Sequence, residues 1–229
     1  MFYIDPVYFW YVFIPVLVIS LGVQIYLRNT HNKWSKVKNS PGLTGDQVGH
    51  QLFNKTSLES IRIEHVSGNL SDHFDPGANV VRLSDSTSNK QSVAAMAVTA
   101  HELGHVQQYQ TGSAMIKARG FLLPALQFSP TISYIAILFG LFWNMTGLLW
   151  VGIFFFAIMV LFSVLTIPVE FDASKRGLRL LKEAGLLQSE SDAKGSQAVL
   201  RAAGLTYVAA AITSILQLLY YISVAQRRG

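Results

Sequence analysis

His101 and His105 stand four residues apart with Glu102 between them, in the order His101-Glu102-Leu103-Gly104-His105. On a helix, residues at that spacing share one face, so both rings can point a nitrogen at one Zn²⁺. Glu102 sits one position round, where its carboxylate can take a proton from an attacking water and hand it to a departing amine. Zinc supplies the acidity that lets this run at neutral pH. The chain has no cysteine, so disulfides are excluded and any metal ligands are His, Asp or Glu. A catalytic zinc takes a third protein ligand and keeps a fourth position open. Glu170 is the foremost candidate, being the first charge after the uncharged stretch from Gly120 to Val169. Asp172 is its nearest rival, followed by His73 and Asp75. Ser174 lies one turn beyond Glu170 and could orient a ligand. His73, Arg82 and Tyr109 are candidates for stabilising an oxyanion.

These side chains need elements to hold them. Ser88 with Gln91 fits a capping box, and the helix it opens runs through Ser92 to Ala100 into the histidine motif. That helix is small and apolar on nearly every side, which predicts the buried centre of a domain, and Gly112 is a suitable stop. Thr44 to Leu52 reads as a short amphipathic helix capped by Thr44. Ile61 to Val66 alternates as a half-buried strand does. Asn79 to Leu83 reads as a second strand, entered from the Asp75-Pro76-Gly77 turn. It is either an ordinary core strand or an edge along which an extended substrate pairs. Lys175, Arg176, Arg179 and Lys182 fall on a predicted short helix ended by Gly185.

The composition places these elements at a membrane. Hydrophobic residues make up 51% of the 229 and charged residues only 14%, with mean hydropathy +0.34. A soluble domain carries about 25% charged residues. Val7 to Leu27 is long enough to cross a bilayer. It reads as a transmembrane helix, since it lacks the positive leader and small-residue cleavage site of a signal peptide. Phe121 to Phe142 and Gly147 to Ile167 form a predicted transmembrane hairpin, with Pro124 and Pro130 kinking its start or laying it in the interface. Ala202 to Val224 is a fourth span. Lys and Arg follow the first and third spans, which puts those loops in the cytoplasm. The amino terminus, the Trp143 to Thr146 turn and Arg227 and Arg228 then lie outside, the last two against the rule. The net charge of +5 thus speaks for orientation, and no nucleic-acid module is apparent.

Taken together, the His101 motif, the upstream His73-Phe74-Asp75-Pro76 and Val81-Arg82-Leu83-Ser84, and the downstream Glu170-Phe171-Asp172-Ala173-Ser174 resemble the YugP-like bacterial membrane zinc metallopeptidases. The resemblance covers nearly the whole chain. More remotely the chain is similar to membrane gluzincins of the HtpX and CAAX-prenyl-protease type. Those enzymes place an acid four residues after the third-ligand glutamate, where this chain has Ser174. The resemblance implies zinc on His101, His105 and Glu170, with Glu102 as base. It supplies no substrate.

The expectation is a mainly α, four-span integral membrane protein with a small zincin-like α+β cytoplasmic domain. Residues 1–27 form the first transmembrane helix, 28–120 the cytoplasmic domain, and 121–169 the hairpin. Residues 170–201 form the segment with the third ligand, and 202–229 the last helix and tail. The expected activity is zinc-dependent hydrolysis of peptide bonds in membrane or membrane-proximal proteins of a bacterial cell. A zinc-binding, non-catalytic scaffold is the alternative, which an intact Glu102 argues against. Cleavage inside the bilayer is disfavoured because His101 lies outside any long apolar run. Ion transport is disfavoured because the spans hold no charge. The partners implied are a peptide or protein substrate and the lipid bilayer; the oligomeric state is left open.

Overall fold

The computed structural model describes residues 5–228; residues 1–4, expected outside the cytoplasm, and residue 229 lie outside the described residues. The chain is mainly helical with one small sheet. Helix α1 (Pro6–Tyr8) passes through a π-helical turn (Phe9–Phe13) into α2 (Ile14–Ser35). Together they form an apolar helix of 30 residues, which continues past the expected Leu27 through Arg28 and Lys33. Helix α3 (Gly45–Lys55) starts at the predicted cap. Thr44 Oγ1 accepts from the Gln47 amide at 3.3 Å, and Gln47 Oε1 accepts from the Thr44 amide at 2.9 Å.

Strands β1 (Arg62–Val66), β2 (His73–Asp75) and β3 (Val80–Ser84) form a sheet in the order β1-β3-β2. β3 runs parallel to β1, with Ile63 opposite Val81, and antiparallel to β2, with His73 opposite Arg82. The possibility that Asn79 to Leu83 is an edge strand is therefore corrected: β3 is the central strand, and β2, three residues long and not predicted, occupies its other side. The burial of Val80, Val81, Leu83 and Ser84 fits that central place.

After α4 (Asp85–Ser88) comes α5 (Val93–Gln110), whose start also corrects an expectation. Its cap is Ser92, whose hydroxyl accepts from the Ala95 amide at 3.1 Å, and Ser88 ends α4 instead. The reason lies in pairing. The Asn39 amide donates to Gln91 O and the Val93 amide to Val37 O, which holds the intervening residues extended until Val93. α5 stops as predicted, with Gly112 at φ +62° and the Ser113 amide closing back onto Gln108 O at 2.9 Å.

Helices α6 (Ala114–Leu126) and α7 (Ser129–Phe142) meet at a bend of 51°. Pro124 lies in the last turns of α6 and Pro130 in the first turn of α7, where a missing N–H is tolerated. Helix α8 (Thr146–Glu183) has 38 residues and α9 (Glu190–Arg228) has 39. The separate short basic helix is thus corrected: Lys175 to Lys182 are the last turns of α8. A helix satisfies its backbone internally, so nothing obliges it to stop where an apolar sequence turns polar. It ends only at Gly185, with φ +69°. Among the described residues, three helices are long and apolar enough to cross a membrane, or four if the bent pair is one span.

The described chain divides into two compact units. The apolar unit holds the residues up to Gln24, Lys117–Pro168, and those from Thr206 onward. It exposes large apolar side chains, Phe121 at 84% and Phe142 at 78% among them, a surface suited to lipid. The polar unit holds Ile25–Ile116 and Val169–Leu205. Its core joins Leu52 of α3, Val81 and Leu83 of β3, Met96, Leu103 and Val106 of α5, and Leu180 and Leu181 of α8. Each such side chain contributes about 1.5–3 kcal/mol on burial. Helix α5 therefore sits in the middle of this unit, as its composition predicted.

Candidate metal centre

His101 and His105 project from one face of α5, their ring centroids 4.8 Å apart and their planes at 81°. Glu170, on the part of α8 that belongs to the same unit, faces both. Its Oε2 lies 3.3 Å from His101 Nε2 and 3.5 Å from His105 Nε2. Among the described residues these three form a group whose ligand atoms all lie within 4.8 Å of one another. Four bonds of about 2.1 Å to a tetrahedral ion keep ligand atoms about 3.4 Å apart, so the separations suit zinc. A second observation agrees. Glu170 Oε2 is buried and has no hydrogen-bond partner, a costly state that a cation relieves.

The two helices approach closely enough for this because of two glycines. A Cβ on Gly104 would stand 2.2 Å from Ala173 O, and one on Gly177 would stand 2.5 Å from Ala100 O. The Gly104 of the histidine motif is thus a packing requirement of the crossing that brings Glu170 to the histidines.

The far nitrogens of both rings are engaged. Ser174 Oγ is 3.1 Å from His101 Nδ1, and Gln108 Oε1 is 3.0 Å from His105 Nδ1. Gln108 was not singled out from the sequence. The available signal was its position three residues after His105, a polar side chain on the buried side of an apolar helix.

Glu102 is only 7% exposed. Burial raises its pKa, against the opposing pull of His101 and His105. For His105 burial acts downward, but the Glu170 and Glu102 carboxylates prevail and raise it. Burial likewise pushes Glu170 up, yet the two imidazoles hold its carboxyl well below the usual carboxylate range.

The other candidates lie elsewhere in their contacts. Asp172 accepts from Gln108 Nε2 and Arg176 Nε, each at 2.7 Å, and is outside the ligand group. Arg82 bonds Asp75 at 2.8 Å and Glu64 at 3.1 Å on the sheet. His73 donates through Nδ1 to Ser71 O at 2.9 Å, and the Tyr109 ring packs on Phe74 at 5.7 Å. Among the described residues none of Arg82, His73, Asp75 and Tyr109 hydrogen-bonds to the three ligand candidates.

The comparisons with known proteins agree with this geometry. The family described as "Putative neutral zinc metallopeptidase" matches residues 9–226. The chain is 33% identical over 216 residues to "Putative membrane protease YugP" of Bacillus subtilis (strain 168), covering 94% of this chain and 96% of that protein. No solved structure matches. Zn²⁺ is accordingly the cofactor, with His101, His105 and Glu170 gathered as its candidate site. With a match that spans nearly the whole chain, this protein belongs to the zinc metallopeptidase family just described.

Proposed function

We propose that the chain is a membrane-embedded zinc endopeptidase that hydrolyses peptide bonds of membrane or membrane-proximal proteins, with Glu102 as general base. The observation that carries this reading is the convergence of His101, His105 and Glu170, with Glu102 next along the same helix. Held by His101, His105 and Glu170, Zn²⁺ would supply Lewis acidity to the attacking water and the scissile carbonyl. Glu102 takes the proton of the water that attacks the scissile carbonyl, then delivers it to the amine as the C–N bond breaks. Its burial supports the role, because a carboxylate withdrawn from bulk water keeps its proton for the leaving group. Ser174 holds the His101 ring in the orientation that presents Nε2.

The substrate class follows from composition. A polar unit joined by continuous helices to apolar spans keeps the site on a membrane protein, where bilayer-associated chains are concentrated. The basic residues after α2's apolar part and on α8's end favour the cytoplasmic side.

The test compares purified wild type with Glu102→Gln in detergent. Both bind about one zinc per chain, and cleavage of casein or a membrane protein drops about 10²–10⁴-fold in the variant. Equal cleavage by both removes Glu102 as the base. Zinc in both with cleavage by neither favours a non-catalytic zinc scaffold.

A further inference from the structure

We infer that Gln108 is a positioning residue of the metal site, whose amide fixes the proton of His105 on Nδ1 and ties that ring to the helix carrying Glu170. The inference rests on the zinc reading above. Gln108 is fully buried. Its Nε2 donates to two groups: the Val169 carbonyl at 2.8 Å and Asp172 Oδ2 at 2.7 Å. A carbonyl oxygen can only accept, and the Asp172 carboxylate is already engaged by Arg176 Nε at 2.7 Å. Both hydrogens of the amide nitrogen are therefore spent, and the atom left to face His105 is Oε1, at 3.0 Å. An amide oxygen has no proton to give. His105 Nδ1 must carry a proton, so the neutral ring, the form that ligates a metal, presents its Nε2 lone pair on the side of Glu170 Oε2, 3.5 Å away.

The two histidines are thus held differently. The Ser174 hydroxyl beside His101 can give or take a proton, so it orients that ring without choosing its tautomer. Gln108 does choose, through a relay of donors that runs from His105 to Gln108 to Asp172, with Arg176 securing the far end. Val169 and Asp172 flank Glu170, so the same amide sets the distance between α5 and the third ligand. A residue that only glued the helices together would not need its oxygen toward the ring.

The experiment measures zinc affinity by chelator competition, and the visible absorption of the Co²⁺-substituted full chain, for wild type, Gln108→Leu, Gln108→Glu and Gln108→Glu with Asp172→Asn. Gln108→Leu is expected to lose about 10–100-fold in affinity, the usual cost of removing a ligand's orienting partner. Gln108→Glu alone sets two carboxylates face to face and also loses affinity. The double variant restores an acceptor toward His105 and a donor from position 172, and recovers most of the loss along with the wild-type Co²⁺ spectrum. Wild-type affinity in Gln108→Leu overturns the inference, as does a loss that the double variant leaves unrepaired. If Gln108→Leu does not fold, the comparison of Gln108→Glu with the double variant decides in the same way. Wild type without zinc overturns the metal reading itself, an outcome separate from these.

Discussion

An imidazole offers a metal whichever nitrogen is free, so the partner at its far nitrogen governs how the near one is presented. For His101 that partner is the Ser174 hydroxyl, at 3.1 Å. The gluzincins this chain remotely resembles put an acid there, and a carboxylate accepts more strongly than a hydroxyl. Ser174→Ala is expected to weaken zinc binding about tenfold, at the low end for such partners. Ser174→Asp is expected to bind at least as tightly as wild type, since it accepts from Nδ1–H as a charged group. Chelator competition on the three proteins checks both. Wild-type affinity in Ser174→Ala would mean that the hydroxyl does not hold the ring. The candidate ligands His101 and His105 and the proposed base Glu102 stand out in the sequence because their types are costly on a buried apolar helix. Gln108 is not, because a glutamine is ordinary on any helix until its burial is known.

At the level of elements, the crossing of α5 and α8 is what turns a histidine pair into a three-sided site. With backbone atoms of the opposite helix 2.2 and 2.5 Å from the places of the missing Cβ atoms, neither glycine admits a methyl group without the helices moving apart. Gly104→Ala is expected to lower stability by at least about 1–3 kcal/mol, the range for overpacking a tight core. It should also weaken zinc binding, because Glu170 retreats along with Ala173 and Gly177. Denaturant unfolding of the metal-free protein together with zinc titration checks this. A variant that loses stability but keeps its zinc affinity would show that the ligand distance does not depend on the close crossing. The α5 helix was legible, since a run of small apolar residues between the expected Ser88 cap and Gly112 leaves few other structures open. Its exact start was not, because the bridge of Lys38 to Ser92 is a long-range contact. The same holds for β2, too short to show a period. The length of α8 was hidden for another reason: the onset of charge at Glu170 marks a change of solvent and not a change of backbone.

For the whole molecule the open quantity is the side on which each segment lies, and the connectivity constrains it by parity. The polar unit contains both Ile25–Ile116 and Val169–Leu205, so these stretches are expected to share one side of the bilayer. On that expectation the chain between them crosses an even number of times. If the apolar part of α8 is one crossing, the expected second one is the bent α6–α7 pair, the fourth candidate span. Contacts within the apolar unit point the same way. The Tyr220 hydroxyl donates to Asp5 Oδ2 at 3.1 Å, while Arg228 Nη1 donates to Leu141 O at 2.9 Å. The start of the first helix, the α7–α8 turn and the end of α9 therefore meet at one end. Arg227 and Arg228 offend the positive-inside rule less than their charge suggests. The first bonds Ser223 and lies 4.0 Å from Asp5, and the second is held by Leu141. The absence of native cysteine makes the arrangement testable with single reporters at exposed positions. In intact cells a membrane-impermeant maleimide is expected to label Asn144→Cys and Gln226→Cys, and to reach Lys36→Cys and Lys182→Cys only after lysis. The opposite pattern would keep the four crossings but turn the zinc site to the outer face. Labelling of Lys36→Cys and Lys182→Cys from different sides would break the parity argument, and with it the assignment of the α6–α7 pair as a span.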